Sequence, residues 1–431
     1  MSQTNLTKLS DYALNILSSY SGNSASSQSI CIAECSRKTP ANKGNIVFFS
    51  GGTALTETSR VLARYGLPAV HLITPFDSGG SSAVLRQAFN MPAVGDLRNR
   101  ILNLAKLDAV GQALPALSAM RLSKDDSATH LKAQLKQLAS GEHAAIRKLE
   151  PEIRERVAIN FAKIMNQLPV NFDLRGASIG NLLLVGAYLR LGRDLNAAVQ
   201  EFSDLLQIVG VVRPIVTQNL HLAAQLGNEQ ILLGQHLITG KEVPELLEAI
   251  SDLYLTAAKP CILAENTPEK KNHAQANQPE KFEAFIGENV AKYIQGASCI
   301  CYPMGSFYSS LIANLLPGGV GKAVAKANCP KVYIPSAGHD PETGLMNLSA
   351  RISTLLAFLR RDAGENTPTH QLITHVLIDC TNPPSHEERD EINKLGVSLV
   401  EIPLINEKYS TSHYSPYLLL NALAELLTIE A

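Results

Sequence analysis

The chain contains no Trp, and Phe, Trp and Tyr together make up 5 % of its 431 residues. So thin an aromatic complement argues against a stacking platform for single-stranded nucleic acid. Nor does one sign of charge dominate: 38 Lys plus Arg face 39 Asp plus Glu, a formal net charge of −1. A near-neutral chain has no global electrostatic pull toward DNA, RNA or an acidic membrane, so small molecules and proteins are the expected partners. No apolar run approaches the ~18 residues that a membrane span needs. The opening MSQTNLTKLS lacks the basic-then-apolar layout of a secretory leader. No membrane partner is expected, and the cytoplasm is the expected location. The seven cysteines, Cys31, Cys35, Cys261, Cys299, Cys301, Cys329 and Cys380, are odd in number and scattered. They read as reduced thiols. Cys31 and Cys35, within CIAEC, have no second Cys or His pair near them in sequence, which favours ordinary thiols over a metal site.

Hydrophobic residues amount to 45 %, enough for a sizeable core. Residues 1–44 read as a peripheral, partly flexible extension: a short amphipathic helix through Leu6, Leu9, Tyr12, Ala13 and Leu17 precedes the polar connection SSYSGNSASSQS. The first strong element, Asn45–Ser50 (NIVFFS), is short, β-branched and aromatic, and it runs into Gly51 and Gly52. This is a buried strand entering a tight turn. A helical pattern through Leu55, Ser59, Leu62 and Ala63 ends at Gly66, and Pro68–Thr74 reads as a second strand. Strand, glycine turn, helix, strand is a βαβ unit with parallel pairing. Further strands are expected at 211–217, 221–226, 231–234, 297–302, 331–335, 374–379 and 397–402. The fold expected is α/β and Rossmann-like, with a mainly parallel sheet flanked by helices. Its domain organisation is a single domain over 45–431, with a helical insertion at about 106–170 and a polar loop at about 264–282.

The chemistry-bearing stretches cluster where strands end. In Ser50–Leu55 (SGGTAL), Gly51 and Gly52 let backbone approach a ligand, and Thr53 precedes a helix start that favours anions. A tight strand-to-helix turn explains the same residues equally well. Thr74–Ser82 (TPFDSGGSS) follows the second strand, at the sheet edge where open α/β folds bind ligands. Asp77 can hold Mg²⁺ or accept a proton; Ser78, Gly79, Gly80, Ser81 and Ser82 can offer amides and hydroxyls to phosphate. The plainer reading is that Asp77 or a serine caps a helix over 83–89. In GDLRNR, Asp96 is placed to cap a helix whose apolar face holds Leu97, Ile101, Leu104 and Ala105. Arg98 and Asn99 at that helix start suit phosphate, base or metal-bound water, with surface solvation as the default. In Ala177–Arg190, Gly180 and Gly186 weaken a buried helix and suggest close approach to something, while Asn181 brings an amide to the helix start. Gly305 and Ser306, after the strand ASCICY, form a second candidate anion site or a simple helix cap.

Taken in order, SGGTAL, DSGGSS with GDLRN, SIGNLLL, and PMGSFYSSLIANLL with KVYIPS resemble the 2-phospho-L-lactate transferase (CofD-like) superfamily over roughly residues 45–345. Departures are visible. Ser50 and Ala54 stand where that family commonly has glycine. Ser78 follows Asp77 where its gluconeogenesis-factor branch often has a second aspartate. Pro303-Met304-Gly305-Ser306 replaces a Gly-Pro-Gly-Ser turn. The resemblance implies a nucleotide diphosphate ligand and a phosphoryl-type transfer assisted by Mg²⁺. An alcohol attacks phosphorus and a nucleoside monophosphate leaves. Asp77 then supplies metal contact or base, and Arg98, Asn99 and Asn181 fix the donor. The alternative it implies is a non-catalytic, nucleotide-sugar-binding regulator of the gluconeogenesis-factor type, which needs the amide cradles but no base. A homodimer is compatible with the apolar helices.

A nicotinamide dehydrogenase is a weaker expectation, since the full GxGxxG fingerprint is missing. A zinc hydrolase built on His339, Asp340 and Glu342 is weaker still, since no HExxH helix exists.

Overall fold

Short apolar strands build the frame, and the first of them runs straight into Gly51 and Gly52. The computed structural model describes residues 45–106, 112–239, 248–260, 279–344, 346–406, 410 and 412–429. The expected extension over 1–44, Cys31, Cys35, Cys261 and most of the polar loop 264–282 lie outside the described residues.

The described residues include ten strands: β1 (Ile46–Ser50), β2 (Ala69–Ile73), β3 (Val211–Pro214), β4 (His221–Leu226), β5 (Ile231–Leu233), β6 (Ile250–Thr256), β7 (Cys299–Tyr302), β8 (Lys331–Tyr333), β9 (His375–Asp379) and β10 (Ser398–Ile402). The main sheet has the order β10-β9-β8-β7-β1-β2-β3. The pairings β1·β7, β7·β8, β8·β9 and β9·β10 are parallel. This is the expected α/β, Rossmann-like arrangement. The order reverses between β1 and β7, so the switch point of the sheet lies there. Strands β2, β7, β8 and β9 are buried along their whole length, as parallel strands covered on both faces must be.

Contacts divide the chain into two compact units. One combines the described residues up to His71 with those from Phe285 on; the other is Leu72–Ala284. In the first, Phe48, Leu62, Cys301, Val332 and Leu377 form a core with Leu419, Leu423 and Leu426 of the helix Pro416–Ile429.

The second unit is mainly helical. It holds the helices Ala113–Ala119, Ala128–Ala139, Ala144–Arg147 and Pro151–Met165. Their apolar faces meet in a core that includes Leu97, Ile101, Leu135, Phe161, Leu183 and Phe202. The helix Ile179–Arg190 is its axis: every residue from Ile179 to Leu189 is buried, and a helix apolar all round must be enclosed. This unit also carries the antiparallel sheet β5-β4-β6. The alternation in ISDLYLT marks β6, which the sequence reading passed over. Among the described residues no helix is long and apolar enough to cross a membrane.

Candidate functional site

The glycine turns of the first unit sit side by side. Gly51 leaves the end of β1 against the segment that follows β7; a methyl group there would sit 2.7 Å from Ser310 Cβ. Only glycine allows that approach. Asn314, from the same segment, donates to Ser50 O at 3.2 Å and to Ser310 O at 2.9 Å, tying the two strand exits together. Gly305 has φ +143°, a conformation that side-chain-bearing residues avoid, and a methyl group on it would lie 3.5 Å from Ala54 Cβ. Gly51, Gly52 and Thr53 are thus brought beside Gly305 and Ser306. Thr53 is exposed, and the helix after it spans Thr56–Arg64 without a side-chain cap.

The helix start behind Gly305 departs from expectation. Phe307–Ile312 is a π-helix, and Ser306 provides no side-chain cap. Phe307 N donates to Asp340 Oδ2, and Tyr308 N and Ser309 N both donate to Glu342 Oε2, each at 2.8 Å. The Ser309 hydroxyl also donates to Glu342. The amides read as an anion site therefore already hold two carboxylates of the chain itself. Gly305 N donates to Ser336 Oγ at 3.1 Å. The amides of Gly305, Phe307, Tyr308 and Ser309 are therefore all engaged within the chain. Burial pushes Glu342 up to about 7, and the neighbouring Asp340 adds to this against its hydrogen bonds from Ser309 and Tyr308. Asp340 is raised too, by burial. Sequence reading weighed this HDPE stretch only as a weak zinc site; the acidic pair is the helix's own cap.

In the second unit the loop after β2 behaves differently from a simple cap. Its helix spans Gly80–Phe89, starting earlier than expected, with Gly79 at the N-cap and no side-chain cap. The expected capping by Asp77 or a serine is thus corrected: Asp77 Oδ1 instead accepts from Gly79 N at 3.0 Å, closing the turn. The helix Gly95–Leu104 likewise begins at Gly95 with Val94 at its N-cap, so Asp96 lies inside the first turn and is not the cap. Asp96 there complements the helix dipole.

Gly95 is where these two elements touch. A methyl group on it would run into Ser82 Oγ and sit 3.1 Å from Asp77 Oδ2. Asp77 Oδ2 and the Ser82 hydroxyl therefore face the same backbone, and any larger residue at 95 would have to displace them. From the same helix Arg98 Nε donates to Asn181 Oδ1 at 3.0 Å, and Asn181 Nδ2 reaches Ser81 Oγ at 3.4 Å. Asn181 N is capped by Ser178 Oγ at 3.3 Å. Gly180 is required because a methyl group would meet Ser118 O and lie 3.1 Å from Arg98 Cδ. Gly186 has a purely structural reason: the backbone of Asn160 crosses it, with Asn160 Cα 3.2 Å from where a methyl group would be.

Asp77, Ser81, Ser82, Gly95, Arg98 and Asn181 thus form one connected group. Asp96 acts on it electrostatically. Burial lowers the Arg98 pKa, Arg121 lowers it further, and Asp96 opposes both. Asn99, half-buried, follows Arg98 on the helix. Sequence reading missed Arg100, which is fully buried and pushed down by burial to about 10 with Asp96 opposing. It also missed Arg86. This arginine, 5 % exposed, donates to Phe76 O and Asp77 O at 3.1 Å each, and to Asn219 Oδ1 at 2.8 Å and Leu220 O at 2.5 Å. It holds the main chain of the Asp77 loop. Its sequence signal was weak, an arginine one turn from a helix end. Ser78, buried, turns to His236: Ser78 Oγ is 2.8 Å from His236 Nδ1 and accepts from His236 N at 3.2 Å.

The group combines carboxylate, hydroxyl and guanidinium at one sheet edge, a set suited to an anionic ligand and to oxygen-liganded cations. Among the described residues no three His, Cys, Asp or Glu side chains gather to hold a metal ion.

Comparison with known proteins agrees with this frame. The chain is 26 % identical over 292 residues to the gluconeogenesis factor of Bacillus subtilis, covering 68 % of this chain and 67 % of that one. It is 24 % identical over 292 residues to the gluconeogenesis factor of Halalkalibacterium halodurans, covering 68 % and 66 %. A crystal structure of a UPF0052-family protein from Bacillus halodurans has the same fold, with a TM-score of 0.60 at 20 % identity, covering 89 % of this chain and 99 % of that one. The profile of the family described as 2-phospho-L-lactate transferase CofD matches residues 46–405, and the chain belongs to that family.

Proposed function

We propose that the protein binds a nucleotide diphosphate through the Asp77 loop and the helix start at Asp96 and Arg98, and passes a phosphorus-bearing group from it to an alcohol. The reading is carried by one observation: Asp77 Oδ2 and Ser82 Oγ meet at Gly95, while Asn181 holds Arg98 at 3.0 Å. Phosphoryl-type transfer asks for positioning and charge neutralisation more than for covalent chemistry. In the proposed step the alcohol oxygen forms a bond to phosphorus, the bond to the nucleoside monophosphate breaks, and the alcohol proton passes to Asp77. Arg98 neutralises phosphate charge. Ser81 and Ser82 supply hydroxyl contacts. Gly51, Gly52, Thr53, Gly305 and Ser306 are proposed, separately, as an anion-contacting edge of the first unit.

The residues around Asp77 fit Mg²⁺, because they are hard oxygen donors and Mg²⁺ commonly needs one or two carboxylates beside substrate phosphates. Where Asp77 holds the ion in place of acting as base, the ion would supply further neutralisation of phosphate charge and the alcohol proton would pass to solvent.

The second reading is a nucleotide-sugar-binding regulator without turnover. Two relatives named gluconeogenesis factors favour it. So does Ser78, which bonds to His236 where a second carboxylate would strengthen a metal site. One experiment separates the two. Purified protein is incubated with Mg²⁺ and a panel of nucleoside diphosphate-linked donors and alcohols, and nucleoside monophosphate is quantified. Release that Asp77→Asn abolishes supports transfer. A ligand-dependent rise in melting temperature with no release supports the regulator.

A further inference from the structure

Arg98 has a second guanidinium near it, that of Arg121, on a different element of the same unit. Residues 120–122 run antiparallel to residues 177–179. Arg121 and Ser178 pair as a β-bridge, Ile179 N donates to Met120 O at 3.0 Å, and Leu122 N donates to Ala177 O at 2.9 Å. This pairing leads directly into the helix Ile179–Arg190. One residue into that helix, Gly180 faces both Ser118 O and the Arg98 side chain, whose Cδ is 3.1 Å from where a methyl group would be. Backbone bonds thus fix Arg121 beside the helix start on which Arg98 rests.

The two arginines are short of negative partners. Arg98 donates through Nε to Asn181 Oδ1, and Arg121 donates through Nη1 to Gly176 O at 3.1 Å. Among the described residues neither forms an ion pair, and the Nη nitrogens of Arg98 make no hydrogen bond. Asp96 is the carboxylate that acts on Arg98, and it acts on buried Arg100 as well. At Arg98 the like charge of Arg121 outweighs the opposite charge of Asp96. Asp77 does not restore the balance there, since its charge acts on Arg86. Two guanidiniums that repel each other are a cost to the fold, and such costs gather at functional sites. Arg98 is half-buried and Arg121 exposed, so a ligand can reach the pair from solvent.

We propose that Arg121 is a second phosphate-binding residue of this site, and that with Arg98 it makes the site select two linked phosphates over one. The proposal rests on the reading of the group around Asp77, Arg98 and Asn181 as a phosphate site. A guanidinium presents paired N–H donors in a plane that matches phosphate oxygens. One arginine serves one phosphate; the second, held on another element, gains a partner only when the ligand carries a second phosphate. The anion also removes the repulsion between the two arginines, which a single phosphate on Arg98 does less completely.

The test is calorimetric titration of the full chain, free of divalent metal and at constant ionic strength, with inorganic pyrophosphate and separately with inorganic phosphate. Arg121→Gln should weaken pyrophosphate binding roughly tenfold or more and phosphate binding by no more than about threefold. Lys124→Gln, which removes a charge three residues further on, should change either by no more than about threefold. The melting temperature of ligand-free Arg121→Gln should stay within about 2 °C of the unsubstituted chain or rise, because a repulsion is relieved. Pyrophosphate binding that depends on Arg121, in a chain that binds no nucleotide, would support the proposal while counting against the nucleotide reading. Four results each overturn the proposal: no pyrophosphate binding, equal losses for phosphate and pyrophosphate in Arg121→Gln, an equal loss in Lys124→Gln, or a clear fall in melting temperature that assigns Arg121 to the fold. Nucleotide binding that needs Arg98 but is indifferent to Arg121→Gln would overturn it and leave the nucleotide reading standing.

Discussion

Arg98 Nε donates to Asn181 Oδ1 across 3.0 Å, joining two helix starts 83 residues apart in sequence. Asn181 is 2 % exposed, and burial lowers the Arg98 pKa. A charge-assisted bond in such a place fixes the guanidinium beside Ser81 and the Asp77 loop. Replacing either partner by Leu leaves the other with an unmet polar group at a cost of about 1–3 kcal/mol. Urea unfolding of both single variants and the double variant should reveal a coupling of about 1 kcal/mol or more. Additive effects would mean that the bond contributes nothing of its own.

Gly95→Ala tests the meeting of the Asp77 loop with the helix Gly95–Leu104. The added methyl would press on Ser82 Oγ and Asp77 Oδ2. Overpacking of this kind costs about 1–3 kcal/mol, and ligand affinity should fall at least tenfold because both oxygens are displaced. A variant with unchanged melting temperature and unchanged affinity would show that the approach is not needed.

How much of this was legible in the chain depends on whether the signal was local. The strand ends at Ser50 and Tyr302 were readable, and that at Ile73 to within one residue, because short apolar runs stop at glycine or proline. The need for close approach at Gly180 and Gly186 was readable as well, since glycine inside a buried helix has to be explained. What it approaches was not: Asn160 and Ser118 come from other helices, and spacing in one helix says nothing about its neighbour. Asp340 and Glu342 were misjudged for the same reason, as they cap a helix that starts more than thirty residues earlier. Arg86 and Arg100 look like surface arginines until tertiary packing closes over them. The helix starts at Gly80 and Gly95 were read late because glycine is a poor helix former, and tertiary contacts override that preference.

Glu342 gives stability an unusual pH dependence. Its carboxyl is raised from 4.5 to about 7, chiefly by burial. The folded state therefore holds the proton more tightly than the unfolded chain. Stability from this group is fully present below about 4.5 and declines as pH rises through about 7, by up to about 3 kcal/mol. The Glu342→Gln curve should lack that decline, so the difference between the two stability–pH curves measured by urea unfolding at pH 5–8 should slope across this range. A difference that is flat across this range would contradict the assignment.

His375 acts in the opposite sense. Burial lowers it from 6.5 to about 4. Its neutral form is favoured in the folded state, so its contribution is complete above about 6.5 and is lost as pH falls toward 4, again by up to about 3 kcal/mol. His375→Gln should flatten the acid limb between pH 6.5 and 4. An acid limb as steep as in the unsubstituted chain would show that His375 does not drive it.

The central claim is that the group around Asp77, Arg98 and Asn181 holds a nucleotide diphosphate. Calorimetric titration of the full chain with nucleoside diphosphates and nucleotide sugars, alongside Arg98→Ala, tests it most directly. A charge-assisted contact of about 1.5–3 kcal/mol predicts saturable binding to the unsubstituted chain that weakens at least tenfold in Arg98→Ala. Equal affinity in both, or no binding of any nucleotide, would contradict the account.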